Sequence, residues 1–379
     1  MNFLKEYTFG QSGGNKGLNI GPGLEKLNKA INGLQKKMMI GVASAPKIGK
    51  STFVDYAFII HPWLHSLELG PEKIDFRVIY LSFEMDRITK EFDFAVYFLY
   101  HDYGIKGMKL PEGVTYNNVG GVPLSSDLLR GRVQDDSGEI IKLSKALEEK
   151  MKEVYENRII PLFGEYNEDG KKIKPGVIVF EEHIENPTGL YNKLLGFAGS
   201  RGVFSTSTFV NSSGQTIQTR EGYTPNNPNE FIVVVIDTVR KVAPERGFSL
   251  KQAVDKMLEY CTILKKLCGY TFIPIVHINR DMATTTNLTF MKDRVHPQPE
   301  FIKDTGNLSE ECNHLITLFN PYDDRYNLNS HFGHKLRLPS GEKAYPNLRT
   351  VHLVESRQVV YPQHFRVQME GNIKNFNQL

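Results

Sequence analysis

The chain has 379 residues, 40% of them hydrophobic and 23% charged, which is enough for one large folded domain or two smaller ones. Its 46 Lys plus Arg against 43 Asp plus Glu give a net charge of +3, which excludes a global positive field and confines any nucleic-acid contact to local basic segments. No apolar run reaches membrane-spanning length, the first residues lack a signal-peptide pattern, and Cys261, Cys268 and Cys312 show no C-x-x-C spacing, so a cytoplasmic protein with reduced core thiols, no membrane contact and no zinc site is expected.

Residues 1–20 are rich in Gly and Asn, with Phe3, Leu4, Tyr7 and Phe9 scattered among them, and read as a flexible N-terminal arm. Leu24, Leu27, Ala30, Ile31 and Leu34 then recur at helical spacing and end near Gly33. The apolar run 38–42 reads as a strand and 53–58 as a helix. Between them stands Ser44-Ala45-Pro46-Lys47-Ile48-Gly49-Lys50-Ser51-Thr52. Strand, tight loop and helix in that order form a phosphate-binding loop, because loop N–H groups and the helix dipole favour anions. In that reading Lys50 reaches the β- and γ-phosphates of a nucleotide and the Ser51 hydroxyl holds Mg²⁺. The usual pattern opens on Gly, where this chain has Ser44.

Residues 76–83 read as a buried strand, and 231–236 as another whose unbroken Ile/Val run suits a parallel strand covered on both faces. Leu250, Val254, Met257, Leu258, Cys261 and Leu264 mark one helix face, followed by strands at 272–278, 314–319, 351–354 and 365–367. This alternation predicts an α/β fold with a mostly parallel central sheet flanked by helices. From about 104 to 229 the pattern weakens. A charged helix at 141–157 reads as a solvated face, and the Ser/Thr-rich stretch 205–219 reads as a long mobile loop.

Three further residues stand where nucleotide hydrolysis needs them. Asp237 ends the strand 231–236, the end at which open α/β sheets bind ligands, and is the candidate Mg²⁺ carboxylate. Glu84 follows the strand 76–83; with that strand beside the phosphate-loop strand, it would lie near the γ-phosphate as the general base that orients water. His277, near the end of the strand 272–278, can sense the γ-phosphate by a hydrogen bond without proton transfer. Each has a plainer reading: a strand-capping Asp, a solvated turn acid and a satisfied strand-end histidine.

In this order the segments resemble the ATPase domain of DnaB-type replicative helicases, a branch of the RecA-like P-loop family. Gly21-Pro22-Gly23-Leu24-Glu25-Lys26-Leu27 with Gly33-Leu34-Gln35 is similar to the family's lead-in to the loop. Ser82-Phe83-Glu84-Met85 looks like its Ser-Leu-Glu-Met segment, Val235-Ile236-Asp237 like its Walker B strand, and His277-Ile278-Asn279-Arg280 like its Gln-Leu-Ser-Arg segment. Phe301-Ile302-Lys303-Asp304-Thr305-Gly306 resembles its Asp-Leu-Arg-Glu-Ser-Gly turn. Leu353-Val354-Glu355-Ser356-Arg357 falls where the family has Lys-Gln-Arg. The family's loop begins with Ala where Ser44 stands, and Glu355 replaces its Lys.

The resemblance spans 18–370 and implies ATP and Mg²⁺ as cofactors, a homo-hexameric ring, single-stranded DNA as track and a primase or loader as partner. It makes Arg357 an arginine finger acting on the neighbouring subunit's nucleotide. About twenty residues precede an ATPase domain over 21–379, so the family's N-terminal collar is expected to be absent, as in a phage-like system working in the host cytoplasm. The arm 1–20 is then expected to pack on an adjacent subunit, and 104–229 to be an insertion.

DNA contacts are expected on two loops at the C-terminal ends of the sheet. One, 240–247, carries Arg240, Lys241 and Arg246; the other, 281–299, carries Lys292 and Arg294. Both offer cations and hydroxyl or amide donors and hardly any aromatics, which suits backbone tracking without sequence preference. Read plainly, they are ordinary charged loops. Two functions share this site: a helicase that translocates on single-stranded DNA, and a RecA-like switch ATPase, a recombinase or loader that does not unwind. The arm has no Phe-x-x-Ala tether of the recombinase kind, which favours the helicase.

Overall fold

Strands that are apolar on both faces can only sit inside a sheet covered on both sides, and that is how this chain folds. The structure is a computed structural model that describes residues 16–183, 185–210, 212–279, 282, 284–302 and 308–379. Nine strands form its central sheet: β1 (Ile40–Ser44), β2 (Asp75–Ser82), β3 (Ile178–Glu181), β4 (Glu230–Asp237), β5 (Thr271–His277), β6 (His314–Phe319), β7 (Leu348–Ser356), β8 (Gln363–Glu370) and β9 (Asn375–Gln378). Their order is β9-β8-β7-β6-β1-β5-β4-β2-β3. From β6 through β3 every pairing is parallel, whereas β7, β8 and β9 add on antiparallel. Every residue of β1, β4 and β6 is buried.

The helices that cover the sheet are set by local signals. They are α1 (Glu25–Ile31), α2 (Lys50–Val54 continuing to His61–Leu69), α3 (Arg87–Tyr103), α4 (Lys145–Val154), α5 (Pro187–Arg201) and α6 (Leu250–Cys268). A capping box of Ser249 and Gln252 opens α6, and Gly269 in the left-handed region closes it. Between its two parts α2 widens into a π-helical stretch, Asp55–Ile60. Pro62 follows one residue later and has no N–H for the carbonyl one turn back, so the ladder slackens before it. The same pattern recurs at Tyr155–Ile159, just ahead of Pro161. The lead-in turn at Gly21–Leu24 wedges between α2 and β9. A Cβ on Gly23 would stand 1.8 Å from the Phe376 carbonyl oxygen, so only glycine fits there.

The interval 104–229 contributes more order than its composition suggests. Its stretch 205–219 is a β-hairpin, Gly202–Val210 paired with Thr216–Pro225, and not a loop. Ser and Thr signal loops by their hydroxyls, but Thr206, Thr208, Phe209 and Val210 are β-formers that pair across the hairpin. Tyr223 anchors the hairpin by donating to the Ala198 carbonyl of α5 at 3.0 Å. Strand β3 from the same interval extends the central sheet beyond β2. In α4 the charged face is solvated as expected, with Leu147 and Val154 turned inward. Among the described residues no helix is long and apolar enough to cross a membrane.

Buried histidines give the fold a pH signature. His296 stacks on His352 at 4.6 Å, and His331 shares a hydrogen bond with the Val295 carbonyl at 2.8 Å. Burial pushes His331 and His314 down to about 4 and His61 to about 3, and drives His352 well below the usual range. Each is neutral when folded and titrates near its ordinary value when unfolded. Below that value the unfolded chain binds more protons, so the stability is fully present above about pH 6.5 and is lost as pH falls toward 4. Each such histidine contributes a slope of about 1.4 kcal/mol per pH unit in that window. Denaturation midpoints should therefore drop steeply between pH 7 and pH 5; a flat profile would mean that these imidazoles are not held neutral.

Candidate active site

β1 ends at Ser44, and the chain turns through Ala45–Gly49 into α2. Lys47 (φ 63°) and Gly49 (φ 102°) adopt left-handed backbone, which favours glycine at position 49. The loop leaves the first N–H groups of α2, from Lys50, Ser51 and Thr52, without intrahelical partners at its mouth. Lys50 is 6% exposed and folds back over the loop, its Nζ 3.3 Å from the Ala45 carbonyl, 3.5 Å from that of Ser44 and 3.1 Å from His277 Nδ1. Burial lowers Lys50 to about 8, while the charges of Asp237 and Glu84 pull it back up.

His277 comes from β5, which lies directly beside β1, with Ser44 and His277 in register. Burial first, then the Lys50 charge, push His277 down to about 4. A neutral imidazole that accepts from the Lys50 ammonium at Nδ1 carries its proton on Nε2, a tautomer assigned from that contact. Nε2 stands 4.0 Å from Glu84 Oε1.

Glu84 reaches the site by a different route from the one its sequence suggests. β2 is not beside β1; β5 and β4 lie between them. Glu84 arrives because the Phe83 N–H donates to the Asp237 carbonyl at 2.8 Å, which carries the turn after β2 across the end of β4. The Ser82 hydroxyl, donating to the Met85 carbonyl at 2.6 Å, folds that turn. The Glu84 side chain is 38% exposed, open to solvent water.

Asp237, 1% exposed, closes the base of the site. Tyr80 donates to its Oδ2 at 3.0 Å, and Lys90 Nζ stands 4.0 Å from the same oxygen. Lys90 is bound more tightly, at 2.6 Å, to Asp55 on α2. Asp237 Oδ1 is buried with no hydrogen-bond partner among the described residues. That carboxylate oxygen, on a residue whose charge acts on Lys50 beside Ser51 in the first turn of α2, fits a Mg²⁺ ion or its bound water. Tyr80, Lys90 and Asp55 are not singled out by the sequence. A signal exists for Lys90, which shares the apolar face of α3 with Phe94 and Tyr97 at helical spacing.

Arg349 is a further residue that the sequence does not mark. It opens β7 beside the loop, where its Nε donates to the Ile48 carbonyl at 3.2 Å and its Nη1 to Asn320 Oδ1 at 3.3 Å. With Lys106, Asn347, Met369 and Glu370 it lines a cavity of about 470 Å³. Arg357 is not brought to this loop. It follows the last residue of β7, and its N–H donates to the Asn313 carbonyl ahead of β6, at the opposite end of the sheet.

The basic segments divide. Arg240 and Lys241 form a 3-10 turn directly after β4, and Arg240 joins Ala45, Pro46, His277 and Asn279 around a cavity of about 730 Å³. Arg246 is exposed farther along. Residues 281–299 are not a plain loop: they include a short helix, α7 (Thr285–Met291), and a 3-10 turn with Lys292 and Arg294 exposed. They also carry Phe290, 88% exposed, an aromatic face where hardly any is expected. Arg280, the Lys303 to Gly306 part of the matched turn and arm residues 1–15 lie outside the described residues.

Comparison with solved structures bears on this geometry. The chain aligns with the ATPase domain of a DnaB-like helicase with a TM-score of 0.60 and 12% identity, covering 99% of this chain and 96% of that one. It aligns with a DnaB-like replicative helicase, solved for its interactions with primase, with a TM-score of 0.61 and 11% identity. That match covers 99% of this chain and 65% of the longer protein. No protein-family profile and no curated protein sequence matches the chain. The fold is thus the RecA-like α/β fold of DnaB-like helicase ATPase domains, reached by a sequence that shares little with either.

Proposed function

We propose that this chain is a Mg²⁺-dependent ATPase of the DnaB type that translocates on single-stranded DNA and separates strands during replication. The convergence of Lys50, His277, Glu84 and Asp237, from four different strand ends, on the mouth of one phosphate-binding loop supports this reading. Loop N–H groups from Ser44 to Thr52 and the Lys50 ammonium hold the β- and γ-phosphates. Glu84, facing solvent, orients the attacking water. His277, neutral and already bonded to Lys50, exchanges that contact for the γ-phosphate as Lys50 turns to the nucleotide. Ser51 and Asp237 would hold Mg²⁺, which would supply neutralisation of phosphate charge.

Arg357 stands away from its own chain's loop, so its role as a finger requires a second copy and, in this proposal, a homo-hexameric ring. Arg240, Lys241, Arg246, Lys292 and Arg294 contact the DNA backbone from segments that follow β4 and β5, with Phe290 offering one stacking face. A primase or loader as partner and a cytoplasmic setting complete the reading.

Steady-state ATP hydrolysis with and without single-stranded DNA tests it. Stimulation by DNA is expected, reduced by about 100-fold in Lys50→Ala, while Glu84→Gln keeps nucleotide binding and loses hydrolysis to a similar degree. Hydrolysis indifferent to DNA would favour the switch ATPase acting on a protein partner. Reversing charge at Lys292 and Arg294 should weaken DNA binding across sequences and flatten its salt dependence by roughly one unit of slope for each phosphate no longer neutralised. Equal salt slopes in variant and wild type would remove that segment from the DNA interface.

A further inference from the structure

Lys90 is 1% exposed, and no ammonium stays at that depth without compensation. Two carboxylates supply that compensation, Asp55 on α2 and Asp237 at the end of β4. Its charge is shared unequally, at 2.6 Å from Asp55 Oδ2 and 4.0 Å from Asp237 Oδ2. Tyr80 completes the group. Its hydroxyl donates to Asp237 Oδ2 at 3.0 Å. The Tyr80 ring in turn lies 4.8 Å from Lys90 Nζ and stacks on Phe180 of β3.

The Tyr80 hydrogen bond and the Lys90 ion pair of the Asp237 carboxylate therefore fall on one oxygen. Oδ1 is buried and has no partner among the described residues. Packing does not call for this arrangement, since an apolar set of similar volume fills such a space at no loss of stability. The asymmetry has a chemical use. An ammonium paired closely with Asp237 would cancel its charge and compete with a cation, whereas one committed to Asp55 steadies the carboxylate and leaves it anionic.

We propose that Tyr80, Lys90 and Asp55 are positioning residues for the metal side of the site, fixing Asp237 through Oδ2 so that Oδ1 faces Mg²⁺ or its bound water. The inference rests on Asp237 being the Mg²⁺ carboxylate. Its signature is a loss of the affinity that Mg²⁺ adds to nucleotide binding, with Mg²⁺-free binding through the loop left intact.

The test is titration of a fluorescent ADP analogue into the full chain, in excess Mg²⁺ and in EDTA; the ratio of the two affinities is the gain due to the metal. Tyr80→Phe removes one hydroxyl and Asp55→Asn frees Lys90 to pair with Asp237. Both are expected to cut the gain by about tenfold with the EDTA affinity unchanged, as loss of groups behind a metal ligand does. Asp237→Asn marks complete loss. Wild-type gain in folded Tyr80→Phe and Asp55→Asn overturns the inference, and should Asp55→Asn fail to fold, Tyr80→Phe alone decides. A wild-type chain that binds no better with Mg²⁺ removes the assignment of Asp237 itself, and this inference with it.

Discussion

Two strand registers hold the site together. Ser44 of β1 pairs with His277 of β5, and Asp237 of β4 pairs with Ser82 of β2. Ile236 pairs with Pro274, so Asp237 stands one pleat deeper than His277, two residues short of the sheet's edge. Glu84, two residues past Ser82, returns to the level of His277. One pairing scheme thus makes Asp237 buried, Glu84 exposed and His277 intermediate. Side chains alternate between faces with period two, so a slip of one residue in either pairing would turn a member of the set away.

How far the sequence announces this depends on whether the information is local. The apolar runs 231–236 and 272–278 are legible because burial on both faces erases alternation, and 44–52 because a strand, a tight turn and a helix start are written contiguously. Strand order is not local. The expectation of Glu84 near the phosphates rests on β2 adjoining β1; its neighbourhood survives, but a turn over the end of β4 is what creates it. Arg349 meets the loop across 301 positions of chain, and nothing in its own neighbours marks it. Lys90 breaks the rule that buried faces are apolar, so periodicity shows where it points but not what it meets.

The buried charges also make sense of an irregularity in α2. The π-helical stretch begins at Asp55, four residues after Ser51. Such widenings change the angular phase of the residues around them and recur at functional positions. Here one helix presents Lys50 and Ser51 to the loop mouth and Asp55 to the ammonium behind the Asp237 carboxylate. Pro62 enforces the widening from the far side, so the geometry of the site is tied to a residue that touches none of it.

Strand β7 has a mechanical consequence. Arg349 sits at its start, against the phosphate loop, and Arg357 just beyond its last residue at the opposite edge. Eight residues of extended chain separate them by about 26 Å at ~3.3 Å per residue. β8 pairs with the strand from Leu348 to Leu353 and β6 from Thr350 to Ser356 around a bulge at Val354, so its neighbours hold the span near that length. It is a ruler built into the backbone. Any assembly that carries Arg357 of one copy to the loop of another inherits that length, and can tune the meeting only by swivelling whole subunits.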